Sequence, residues 1–264
     1  RKLHLTYNIT GPKWWNGFES NLAEISLKAV LHRSYEECFL LETIDVASKE
    51  KEVVNTVMPE IGYDISRLML DIQCSIWEFI HGLDVHSAIP IVLFPDDNPV
   101  YLNFNYTATL ETVYAIDPSK VFHIHGDVRN VENDLVFGHG KNYDELVSKF
   151  SMESNDISSD LYDDPGEMKD LISDASRQLA SARKCTEDII RKNHNLFANL
   201  SSVQTVCSMG FSFSDVDLPY IDLLAEKVSP NALWKFGWHT DSDMHTMKAL
   251  VRDRGLRRVE YFYF

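Results

Sequence analysis

No C-x-x-C pair occurs in this chain: Cys38, Cys74, Cys185 and Cys207 are scattered. That excludes a tetracysteine zinc module, and reduced, buried thiols are the expected state. No apolar run approaches the ~20 residues of a membrane span. The longest uncharged stretch, Val85–Pro95, carries His86 and two prolines. No signal peptide opens the chain, so a cytoplasmic location with no membrane partner is expected. Internal repeats and low-complexity tracts are also lacking. Basic residues are few, with 25 Lys and Arg against 40 Asp and Glu, a net charge of −15. The acids concentrate in Glu36–Glu60 and Ser151–Asp174. Non-specific nucleic-acid binding depends on Lys and Arg at phosphates, so no direct nucleic-acid partner is expected.

What is present is an ordinary globular composition, 44% apolar over 264 residues, enough for one large α/β domain. Residues 1–98 read as a mainly helical layer or insertion. Leu22, Ile25, Ala29 and Val30 give one stripe at helical spacing; Ile65, Leu68, Met69, Ile72, Ile76 and Phe79 give another. Val46–Val57 is a charged segment, and Ile89–Leu93 an apolar run beside Pro90 and Pro95. Residues 99–264 alternate. Strands are expected at Val100–Phe104, Lys120–Ile124, Asp134–Phe137, Val203–Met209, Ala232–Phe236 and Val259–Tyr263. Helices are expected at Thr107–Ala115, Glu167–Leu200, Val216–Glu226 and Ser242–Asp253. Such alternation predicts a largely parallel, Rossmann-like sheet with helices on both faces. Ser151–Asp164, polar and acidic, reads as a mobile excursion or lid.

Two of these strands stop at polar groups: Asn105 follows the first, and His125-Gly126 follows the second. Ligands of open parallel sheets bind beyond the carboxyl ends of the strands, so both side chains are expected at one crevice. Imidazole suits proton transfer near neutral pH, and an amide can hold a water or a sugar hydroxyl without titrating. His123 and His125 alternate on one strand and share a face. His125, beside a glycine that permits close ligand approach, is taken as the base, with His123 in support. No third ligand is spaced for a metal, and none is expected. Asn105 and Thr107 are equally suited to capping the following helix, as Ser212, Ser214 and Asp215 are for the helix beginning near Val216.

The strings Phe104–Glu111 (FNYTATLE), His123–Gly126 (HIHG) and Phe137–Gly140 (FGHG) together resemble the bacteriophage abortive-infection AbiH family. In outline they also resemble the sirtuin-like NAD-binding fold, where an Asn-bearing strand end precedes a strand ending in His-Gly. Met209–Asp215 (MGFSFSD) resembles the third element of that fold, a strand ending in Gly-x-Ser. The resemblance runs from about Trp14 to the C-terminus, as a single domain. The family opens with a strand and a GNGFD motif, whereas Arg1–Tyr7 (RKLHLTY) stands near where the family's following HGLxTSY segment is expected. That Gly-rich loop is therefore missing from this sequence, through truncation, disorder or real loss.

The resemblance implies NAD as substrate or ligand, with Asn105 and His125 as catalytic residues. Thr107, Gly126, His139, Gly210, Ser212 and Asp215 are the cofactor-binding candidates. The implied activity is cleavage of the nicotinamide–ribose bond by an antiphage effector, restrained through homo-oligomerisation or a phage-defence partner protein. Without the paired cysteines of sirtuin deacylases, a protein-deacylase activity loses support. The competing expectation is a sensor that holds a nucleotide without turning it over.

Overall fold

Among the described residues every strand pairing is parallel, and helices connect the paired strands. The structure, a computed structural model, describes residues 19, 22–27, 67, 70–90, 99–130, 135–155 and 165–264. The charged segment Val46–Val57 lies outside the described residues. So do Ile91–Leu93 and, within the expected mobile excursion, residues 156–164.

Backbone contacts divide the chain into two units, Arg1–Glu78 with Phe137–Lys184, and Phe79–Val136 with Cys185–Phe264. In the first, helices α1 (Tyr143–Ser154) and α2 (Pro165–Ala180) pack against each other. Asn142 and Glu145 form a reciprocal capping box that sets the start of α1. The core includes Leu146, Phe150, Leu171, Ala175 and Leu179, together with Leu22, Ile25, Leu27, Ile72 and Ile76. Lys184 is buried and forms an ion pair with Glu19, Nζ to Oε1 2.9 Å. Ser151–Ser154, expected as part of a mobile segment, close the last turn of α1.

The second unit holds the strands. β1 (Tyr101–Asn103) pairs with β2 (Val121–His123) in a register that sets Asn103 opposite His123. The short helix α3 (Thr109–Tyr114) connects them. After α4 (Thr186–Lys192) and α5 (His194–Phe197), the strands β3 (Thr205–Ser208), β4 (Leu233–Trp238) and β5 (Val259–Tyr263) form a second sheet. Helices α6 (Leu218–Lys227) and α7 (Asp241–Asp253) are its crossovers. Phe213, Ile221, Trp234, Phe236, Met247 and Leu250 form the core beneath it, and Ile124, Phe197 and Tyr220 form a smaller one.

The α/β alternation of the sequence is therefore present, but as sheets of two and three strands rather than one large sheet. No hydrogen-bond ladder joins β1 to β3 among the described residues. Packing joins their carboxyl ends instead, with the Phe104 and Phe211 rings edge to face and centroids 4.7 Å apart. The expected long helix Glu167–Leu200 is interrupted between Ala180 and Thr186, where the Lys184 N–H donates to the His139 carbonyl. Residues 135–137 make no strand; the Val136 N–H donates to the His125 carbonyl.

Candidate functional site

Asn105 and His125 each follow Asn103 and His123, the last paired residues of the β1–β2 ladder, by two positions. Each therefore leaves the carboxyl end of its strand at the same level. The Asn105 backbone is held from both sides. Its N–H donates to Asn103 Oδ1 at 3.0 Å, and its carbonyl lies 3.3 Å from His123 Nδ1. The Asn105 side chain is exposed and makes no hydrogen bond among the described residues. A fixed backbone with an available amide can orient a polar ligand.

His123 anchors that turn. Its Nδ1 lies 3.3 Å from Asn103 Nδ2, and its Nε2 lies 2.9 Å from Glu111 Oε1 and 3.7 Å from Asp127 Oδ2. Arg129 closes the cluster, its guanidinium on Asp127 and 2.6 Å from Glu111 Oε1. Burial pushes the Glu111 carboxyl up, but hydrogen bonds from His123, its own backbone and Arg129 outweigh this and hold it below the usual range. Asp127 follows the same pattern. Burial raises it, and the Arg129 side chain and backbone bring it below its ordinary value. Glu111, His123 and Asp127 present donor atoms within 4.8 Å of one another, a set that could coordinate a cation. In the present arrangement Arg129 supplies the positive charge to both carboxylates.

His125 is held differently. It is 2% exposed, with its Nε2 3.2 Å from the Tyr220 hydroxyl and 3.6 Å from Asp217 Oδ1. The Phe104 ring lies edge to face against the imidazole, centroids 5.2 Å apart. Asp217 is the N-cap of α6, yet its carboxylate makes no capping bond. It accepts from the Ser214 hydroxyl at 3.4 Å and faces His125. The α6 N-terminus favours a negative charge at that position.

The remaining candidates fall into two groups. Gly126 and Gly210, with φ of 95° and 63°, take the left-handed turns that end β2 and β3. A side chain on Gly210 would meet nothing within 4 Å. Ser212 and Asp215 are exposed between β3 and α6, and Thr107 bonds to Thr109, Oγ1 to Oγ1 2.8 Å. The contact of Phe104 with Phe211 draws the ends of β1 and β3 together, so all of these stand at strand carboxyl ends within one unit. His139 is the exception. It belongs to the first unit and is fully buried, its Nε2–H donating to the Leu179 carbonyl at 2.9 Å. Its ring is a core group of that unit.

Asp217, Tyr220, Asn103, Glu111 and Arg129 are polar members of these networks that sequence reading did not single out. Asp217 and Tyr220 carried one signal, their i, i+3 spacing at the start of a helix directly after Gly-x-Ser.

Fold and geometry together define an α/β protein with crossed-over parallel strands and an Asn103–His123 pair across β1 and β2. The family model for bacteriophage abortive infection AbiH matches residues 5–238, and the chain belongs to that family. No curated protein and no solved structure matches it. No helix among the described residues is long and apolar enough to cross a membrane.

Proposed function

We propose that this member of the abortive-infection family acts on NAD, hydrolysing the nicotinamide–ribose bond at the carboxyl ends of β1 and β2. The observation that carries the reading is the equal placement of Asn105 and His125 beyond the Asn103–His123 pair. Water adds to the ribose carbon as the carbon–nitrogen bond breaks and its electron pair passes to nicotinamide. The released proton goes to His125, a step generally worth about 10²–10⁴ in rate. Asn105 orients the water or the ribose hydroxyls. Gly126, Gly210, Ser212, Asp215 and Thr107 border the nucleotide, and the open side of Gly210 allows close approach.

The test is incubation of the protein with NAD in the presence and absence of its assembly partners, with products separated by chromatography. ADP-ribose and nicotinamide are expected, and they should disappear in His125→Ala and Asn105→Ala. The double variant should be hardly slower than either single one, because the two residues serve one transition state. A second reading, a sensor that holds a nucleotide without turnover, is favoured by the burial of His125 behind Phe104. Intact NAD, with saturable binding lost in Asn105→Ala, selects that reading.

A further inference from the structure

We propose that Asp217 is the positioning residue of His125, fixing its imidazole with the proton on Nε2 and assigning proton transfer to Nδ1. The inference rests on the reading of His125 as the base. Three observations carry it. The carboxylate oxygen Oδ1 lies 3.6 Å from Nε2, with the two side chains 9% and 3% exposed. Tyr220, fully buried, places its hydroxyl 3.2 Å from the same nitrogen, so two polar groups meet the ring at Nε2. Asp217 is itself aimed, through Ser214 at 3.4 Å on its other oxygen, and makes no N-cap bond that would turn it toward the helix.

A carboxylate in a poorly solvated site attracts the N–H end of a neutral imidazole and repels its lone pair. The tautomer with hydrogen on Nε2 is thereby favoured, and the lone pair lies on Nδ1. In the hydrolytic step Nδ1 takes the proton of the attacking water, which bonds to the ribose carbon while nicotinamide leaves with the bonding electrons. The imidazole then carries hydrogen on both nitrogens, and the charge it gains faces Asp217. A carboxylate that sets the tautomer and steadies an imidazolium is worth about 10⁴ in turnover where the same roles occur in hydrolytic triads.

The measurements use the whole chain labelled with ¹⁵N-histidine, with the His125 resonance assigned by its loss in His125→Gln. The wild-type ring should show a protonated Nε2. Asp217→Asn, an isosteric change, should shift the population toward Nδ1–H. It should also lower kcat on NAD by about 10²–10⁴ with KM little changed. Asp217→Glu should recover part of both. Tyr220→Phe, which removes the hydroxyl and keeps the ring in the core, should leave the proton on Nε2. The tautomer reports on Asp217 even in a chain that leaves NAD intact. In that case the NAD reading alone fails, and the positioning role stands if Asp217→Asn moves the proton. The proposal is overturned by Nδ1–H in the wild type or by an unchanged tautomer in Asp217→Asn. It is also overturned by a shift in Tyr220→Phe but not in Asp217→Asn, or by wild-type kcat in Asp217→Asn of an active enzyme.

Discussion

Asn103 Nδ2 lies 3.3 Å from His123 Nδ1 across the β1–β2 ladder, and the same side chain holds the Asn105 turn through its oxygen. The amide nitrogen also lies 3.4 Å from the Thr107 carbonyl. One buried amide thus serves two groups of the turn that carries Asn105 and the His123 ring on β2. Asn103→Ala leaves the Asn105 N–H and the His123 ring short of partners, a loss of about 1–3 kcal/mol. Urea denaturation should show a lower midpoint at unchanged slope. A midpoint equal to that of the wild type would remove Asn103 from the support of the turn.

His139 should make the stability of the protein fall in mild acid. Burial lowers its pKa below 6.5, against the Leu179 carbonyl bond that raises it, with the charges of Lys141, Arg183 and Lys149 adding to the lowering. The unfolded chain therefore takes up a proton near pH 6.5 that the folded chain refuses. The stability from this group is full above about pH 6.5 and declines as pH falls toward the depressed native value. His139→Gln, which keeps a donor for Leu179 and does not titrate, should flatten thermal stability between pH 7.5 and 5. Parallel curves for the two proteins would show that His139 has no such influence.

Gly138→Ala and Gly210→Ala should separate two uses of glycine. A Cβ on Gly138 (φ 152°) would fall on the Ala182 carbonyl oxygen and 2.9 Å from the Lys184 nitrogen, backbone atoms that cannot move aside cheaply. The expected cost is about 3 kcal/mol or more, with low soluble yield. At Gly210 (φ 63°) the surroundings are open, and only the left-handed backbone opposes the change, about 1 kcal/mol. Equal melting temperatures for the two variants would contradict this packing.

Local pattern makes the second half of the chain legible. Val259–Tyr263 is legible to both its limits, and the bounds of β3, β4, α6 and α7 differ from the sequence pattern by a few residues at most. Those elements declare themselves by apolar period and by caps, such as the Thr240–Asp243 box that opens α7. The break in the helix Glu167–Leu200 is not legible, because the bond made there, from the Lys184 N–H to the His139 carbonyl, joins residues remote in sequence. In the candidate site, Asn105 and His125 are visible as polar groups ending apolar strands. Phe104 reads in the sequence as the last residue of a strand, whereas it covers His125 and Tyr220. Asp217 and Tyr220 stay hidden for the same reason as Lys184: helical periodicity does not reveal which remote ring a helix start faces.

The interleaving of the two units imposes an order on synthesis. Phe79–Val136 emerges between the two parts of the other unit, and its own complement begins only at Cys185. His125 precedes Tyr220 by 95 residues, about 5–20 s of elongation. Throughout that interval the β1–β2 ribbon carries both Asn105 and His125 without the wall that seats the imidazole. A chain arrested before Tyr220 holds both side chains and no assembled site. The contacts that seat the imidazole therefore form only after Tyr220 has been made, so the order of synthesis separates the appearance of these side chains from the assembly of their surroundings.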